Sequence, residues 1–105
     1  MKLLFAIVND DDARTIMCGL NENEISVTKI SSTGGFLRGG NSTLMVGVDH
    51  EKLDSAINII KTNARKKIVS VPYAAGPVES AVQPVEITVG GATIFVVDVE
   101  NFLKI

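Results

Sequence analysis

The chain has 105 residues and a mass of 11.2 kDa, with 46% hydrophobic and 21% charged residues, the make-up of one compact soluble domain spanning 1–105. Ten Lys and Arg against twelve Asp and Glu give a net charge of -2, which excludes the basic field that a nucleic-acid polymer or an anionic membrane surface requires. One Cys cannot close an internal disulfide and one His beside it is too few for a structural zinc site, so the expectation is a cytoplasmic protein with no metal and no cofactor.

The first apolar run, residues 3–8, is continuous and aliphatic, as expected for a strand buried on both faces. It stops at Asn9 and three aspartates with no small-residue cleavage site, so it reads as a strand rather than a signal peptide. No apolar run approaches the roughly 20 residues that span a bilayer. Asn9 and Asp10, Asp11 and Asp12 then supply helix-starting chemistry, because short polar side chains cap free N–H groups and acids complement the helix dipole. Ala13, Ile16, Met17 and Leu20 follow at one helical face, with a stop expected near Gly19 to Asn21.

Residues 24–33 are rich in β-branched side chains and predict a second strand, with Ile25 and Val27 on one face and Ser26 and Thr28 on the other. That alternation slips at Lys29-Ile30, where a bulge or twist is expected. A third strand is expected at 43–48. Asp49 is placed to cap a second helix carrying Leu53, Ala56, Ile57, Ile60 and Ala64, with the basic run Arg65-Lys66-Lys67 at its end.

These units echo one another. The run 3–8 recurs at 43–48, and helix positions 13, 16, 17 and 20 recur at 53, 56, 57 and 60, a constant offset of 40 residues. With a strand after each helix, the second at 68–73, the order is βαββαβ, an α+β ferredoxin-like arrangement with both helices on one face of a four-stranded antiparallel sheet. A connection at 74–84 leads to an extra C-terminal β stretch, 85–97, broken by a turn or bulge at Gly90-Gly91. The tail 98–105 carries Phe102, Leu103 and Ile105, which need somewhere to pack.

The mean hydropathy of +0.29 is high for so small a chain. Two helices cover one sheet face, yet the strands carry apolar residues at successive positions that point to both faces. An exposed apolar face of that size exceeds what monomers tolerate. A homo-oligomer with its sheets packed inward is the expected remedy.

The most informative stretch is Gly34-Gly35-Phe36-Leu37-Arg38-Gly39-Gly40-Asn41, four glycines in seven positions followed by an amide. Read as a plain hairpin connection, it needs no ligand. It is not a P-loop, since Gly40-Asn41 stand where Lys-Ser/Thr would follow and no helix comes next. It is not a dinucleotide fingerprint either, because no G-x-G-x-x-G opens a helix. Glycines offer backbone N–H groups that a phosphate or base edge can approach closely. Phe36 and Leu37 make an apolar platform for a base or a neighbouring chain, Asn41 has the donor and acceptor that read an adenine edge, and Arg38 can meet a phosphate or stay solvated.

Thr28-Lys29, the run Thr33-Gly34-Gly35-Phe36-Leu37-Arg38-Gly39-Gly40-Asn41-Ser42-Thr43 and the run Pro84-Val85-Glu86-Ile87-Thr88-Val89-Gly90-Gly91-Ala92-Thr93-Ile94-Phe95 together resemble the PII-like cyclic di-AMP receptors of the PstA or DarA type, over the full length of the chain. The resemblance implies a non-enzymatic homotrimeric signal receptor of the bacterial cytoplasm that binds one cyclic di-AMP in each cleft between subunits and relays it through loop ordering to a downstream protein. It implies that Thr28 hydrogen-bonds the ligand phosphate and that Gly35, Phe36 and Leu37 line an adenine pocket. It further implies that Asn41 reads adenine, that Gly47 gives backbone room, and that Phe95 packs on the second base from across the interface. The chain departs from the family pattern at Ser26, where members can carry Arg, leaving Arg38 or Lys29 as sources of a phosphate-neutralising charge. The connection 74–84 is also shorter than that family's long loop.

Two other readings compete. One is a PII regulator that senses ATP, ADP or 2-oxoglutarate, against which stands the absence of a modifiable Tyr in the Gly-rich loop, since Tyr73 is the only one. The other is a small trimeric enzyme or metal-tolerance protein, which would need His, Cys or carboxylates to converge. Cys18 beside the first helix's apolar stripe is expected to be a packed thiol, His50 a solvated helix-start residue, and the aspartates at 10–12 a helix cap.

Overall fold

The computed structural model describes residues 1–30, 40–64, 67–73 and 83–105, the strands at 67–73 and 83–89 by their backbone alone. The order is β1 (Lys2–Asn9), α1 (Asp10–Glu22), β2 (Val27–Ile30), β3 (Asn41–Val48), a short 3-10 turn (His50–Lys52), α2 (Leu53–Asn63), β4 (Lys67–Tyr73), β5 (Gln83–Val89) and β6 (Ala92–Asp98). A four-stranded antiparallel sheet with the order β2-β3-β1-β6 carries both helices on one face, an α+β arrangement compatible with a ferredoxin-like fold. The core lies between helices and sheet. Leu4, Ala6 and Val8 of β1 and Leu44, Val46 and Val48 of β3 alternate inward, and they meet Ala13, Ile16 and Leu20 of α1 and Ala56 and Ile60 of α2. The 40-residue echo is therefore a pair of strand-helix units sharing one core.

One strand sits elsewhere than the sequence predicts. The edge beside β1 belongs to β6, not to residues 68–73; β4 pairs with β5 in a separate two-stranded sheet. The competing ladders explain the choice. β6 offers seven successive pairs, from Lys2 opposite Asp98 to Val8 opposite Ala92, with no proline among them. β4 contains Pro72, which lacks a donor, and it lies opposite Pro84 of β5, so the two missing N–H groups share one rung. Gly90 and Gly91 thus do not close a turn between paired strands. They form the corner where the chain leaves one sheet and enters the other, at φ 89° and 84°, a left-handed backbone that glycine adopts without steric cost.

α1 starts as the sequence predicts: Asn9 is the N-cap and its side chain accepts from the Asp11 N–H at 2.9 Å, with three acids in the first turn. It ends later than predicted. Gly19 is inside the helix, and the stop comes at Glu24, whose φ of 60° is left-handed. The Ile25 N–H donates to Leu20 O at 2.9 Å and the Glu24 N–H to Asn21 O at 3.0 Å, while Leu20 and Ile25 are both buried. That is a Schellman stop with its hydrophobic contact. It consumes Glu24 and Ile25, so β2 begins at Val27 instead of 24, and its register through Ile30 shows no bulge at Lys29. Asp49 makes no side-chain capping bond; the Lys52 N–H closes a turn onto its carbonyl at 2.9 Å. Cys18 is exposed rather than packed, because it projects two positions round the helix from Ile16.

Candidate functional site

The face of the sheet away from the helices is defined by register. In β3 the inward residues are Ser42, Leu44, Val46 and Val48, so Asn41, Thr43, Met45 and Gly47 point outward. Opposite them in β1 are Asn9, Ile7, Phe5 and Leu3, and beyond these β6 brings Thr93, Phe95 and Val97 to the same face. In β2, Thr28 pairs with Met45 and Ile30 with Thr43, again outward. No helix among the described residues covers this surface. Phe95 is 50% exposed and Val97 44%, a large apolar area for a chain standing alone.

Four of the sequence-predicted site residues are described, and all four, Thr28, Asn41, Gly47 and Phe95, lie on this one uncovered face. The other four, Gly35, Phe36, Leu37 and Arg38, fall outside the described residues. Lys29 pairs with Leu44 and so belongs to the opposite face from Thr28. Successive residues of a strand point to opposite sides, so Lys29 and Thr28 stand on different faces of the sheet.

Two concavities flank the face at opposite ends of β3. One, of about 420 Å³, places the hydroxyl-bearing Ser26 and Thr28 and the bare backbone of Gly47 among Met1, Leu3 and Met45. Its remaining wall is the C-terminal segment, through Val99 and Phe102. Size and lining are those of a small-molecule site, apolar with a few polar groups. No charged side chain lines it among the described residues. The other, of about 270 Å³, gathers Asn41, Asn9, Ile7 and Thr93 around the Gly90-Gly91 corner. Asn41 and Gly47 are six residues apart on one strand, roughly 20 Å at the rise of extended backbone. The structure thus brings Thr28 and Gly47 together and holds Asn41 at the far end, while Phe95 stands between the two on β6 and lines neither.

Asn41 is positioned from behind. The Asp10 N–H donates to the Gly40 carbonyl at 2.7 Å, and the buried Ser42 hydroxyl donates to the Asp10 carboxylate. Gly40 has a φ of 98°, which an L side chain would strain. The residues on either side of Asn41 are thereby tied to the β1–α1 junction. Gly47 is different. Its φ is not left-handed, and a Cβ built on it would meet nothing within 4 Å among the described residues, so neither backbone nor packing among them explains a glycine in mid-strand. A strand glycine with no such reason often marks a place of close approach by a ligand or another backbone.

The whole chain, residues 1–105, matches the family model of the cyclic-di-AMP receptor. The chain belongs to the cyclic-di-AMP receptor family. A crystal structure of a functionally unknown protein from Pediococcus pentosaceus ATCC 25745 is similar at a TM-score of 0.76 and 33% sequence identity, over 99% of this chain and 96% of that one.

Among the described residues no group of three His, Cys, Asp or Glu is placed to hold a metal ion, and no helix is long and apolar enough to cross a membrane. Sequence reasoning missed Ser26 as a lining residue, reading it only as a departure, and missed Met1, Val99 and Phe102 altogether. The signal for Phe102 was present: an apolar tail with nowhere of its own to pack.

Proposed function

We propose that the protein is a cytoplasmic signal receptor that binds cyclic di-AMP in clefts between the subunits of a PII-like, ferredoxin-fold homotrimer. The observation that carries this reading is the convergence of Thr28, Asn41, Gly47 and Phe95 on the one sheet face that the helices leave open. Two further points support it. An apolar face with Phe95 half exposed calls for sister subunits. Asn41 and the Thr28–Gly47 pair, held at opposite ends of β3, are brought to one compact ligand more simply if a second copy supplies one of the two ends.

In this reading Asn41 reads an adenine edge, Thr28 hydrogen-bonds the ligand, Gly47 leaves room for it, and Phe95 packs on a base from across the interface. Gly35, Phe36, Leu37 and Arg38 complete the pocket from the Gly-rich stretch, and ligand binding orders that stretch into a surface read by a downstream protein. There is no chemical step; the protein reports occupancy.

Titration calorimetry with cyclic di-AMP, with cyclic di-GMP and ATP as controls, tests the reading, beside light scattering for the trimer. Saturable heat with cyclic di-AMP alone is expected. No heat at high micromolar cyclic di-AMP overturns it. Asn41→Ala is expected to weaken binding by about 1 to 3 kcal/mol, the worth of a two-point amide contact to a base edge.

A further inference from the structure

The C-terminal segment is tied to the start of the chain. The Val99 N–H donates to the Met1 carbonyl at 3.2 Å, extending the β1–β6 pairing by one step beyond Lys2 and Asp98. Three residues later Phe102 stands at the cavity that holds Thr28 and Gly47. Phe102 is 61% exposed, so most of its ring is unclaimed by the chain's own core. Across the cavity Gly47 presents backbone with open space above it. An aromatic wall and a bare strand, with no charged side chain among the described lining residues, suit the flat face of a heterocycle. The two hydroxyls, Ser26 and Thr28, add hydrogen-bonding partners for such a ring's edge.

We infer that Phe102 is a binding residue of the receptor: the segment around Val99 and Phe102 walls the Thr28–Gly47 cavity, and one adenine of the dinucleotide stacks on the Phe102 ring over Gly47. This rests on the proposed cyclic di-AMP function and adds to it a contact from the tail. The aromatic and aliphatic lining of the cavity assigns it the base, and the strand pairing at Val99 places the ring.

The test uses the full chain. Phe102→Ala is expected to weaken cyclic di-AMP binding about tenfold or more by calorimetry, with the mass by light scattering unchanged, because base-aromatic stacking is of that order. Phe102→Trp is expected to bind nearly as the parent does. Its introduced indole, in a chain with no other, is expected to lose emission as cyclic di-AMP saturates. Parent-like affinity in Phe102→Ala overturns the inference, and so does a loss of affinity that comes with a change in oligomeric mass, which would assign the ring to a contact between copies. If the unmodified protein gives no heat with cyclic di-AMP, the proposed function itself fails, and the inference with it.

Discussion

The hydroxyl of Ser42, buried at the start of β3, donates to the carboxylate of Asp10, the first residue of α1. With the Asp10 N–H bound to the Gly40 carbonyl, Asp10 grips both neighbours of Asn41 through one backbone and one side-chain contact. The sequence offers Asp10 only as a helix cap and dipole partner. In the fold it also fixes where the chain emerges from the Gly-rich stretch.

Ser42→Ala is therefore expected to cost about 1 kcal/mol, the net worth of one such hydrogen bond with its carboxylate returned to water. A urea midpoint shifted downward at unchanged slope is the signature. Cyclic di-AMP affinity is expected to fall as well, since Asn41 loses one of its two flanking ties. Unchanged affinity in a destabilised variant would separate Asn41's position from this contact.

Glu24 occupies the left-handed position of the Schellman stop, at φ 60°, where glycine is the usual residue. An L side chain there costs roughly 1 to 2 kcal/mol, partly offset by the greater freedom of glycine in the unfolded chain. Glu24→Gly is expected to stabilise by about 0.5 to 1 kcal/mol and to raise Tm by a few degrees, compared at one protein concentration because an oligomer's Tm depends on it. A lower Tm would show that Glu24 makes a contact worth more than its strain.

Much of this was legible. The 40-residue offset between apolar runs reports two strand-helix units because strand and helix periods both survive in sequence, and the inward faces of α1 and β3 follow from it. Three features were not legible, for one reason. Gly19 reads as a helix stop, yet a Cβ there would sit 3.0 Å from Ile59 Cγ2, so it is the point where α2 closes on α1. Residues 68–73 read as the fourth strand of the main sheet, yet β6 wins that edge through pairs more than 80 residues apart, such as Lys2 with Asp98. Phe102 reads as a stray apolar tail residue until β6 carries it back to Thr28. Each depends on which distant segment arrives, and local pattern does not encode arrival. Thr28, Asn41, Gly47 and Phe95, in contrast, share their face by plain alternation once the strands are paired.

Lys2 and Asp98, opposite each other at the end of the β1–β6 ladder, form an ion pair. Hydrogen bonding and charge from Lys2 hold the Asp98 carboxyl below its ordinary value of 3.8. A carboxyl depressed in the folded state contributes stability above its unfolded pKa and loses it as pH falls through the folded one. Asp98→Asn is therefore expected to lower stability slightly at neutral pH, where Asp98 is open to solvent and screened, and to converge with the parent as pH falls below about 4, so that the acid limb of its profile is shallower by the same small amount. Urea midpoints at pH 7 and pH 3, at low and high salt, check it; identical profiles for both proteins would mean the pair contributes nothing.

Gly47 separates stability from function most cleanly. Glycine in a strand interior weakens it by roughly 0.5 to 1 kcal/mol relative to alanine, through unfolded-state entropy and the missing side chain. Nothing among the described residues offsets that cost: the backbone is not left-handed, and a Cβ enters open space beside Thr28 and Met45. Gly47→Ala is thus expected to leave the monomer fold intact and to hold or raise its stability by about 0.5 kcal/mol. If the space above Gly47 is where the adenine lies, the added methyl pushes the base off the strand, and cyclic di-AMP affinity is expected to fall tenfold or more, about 1.4 kcal/mol. Gly47→Val, with a larger side chain that also favours strands, is expected to widen the gap in both directions. Thermal melts of the unliganded protein and calorimetry of the same samples read the two effects. A variant that is stable and still binds as the parent does would place the ligand elsewhere on the face. A variant that loses both stability and oligomeric mass would show that the room above Gly47 belongs to a neighbouring strand.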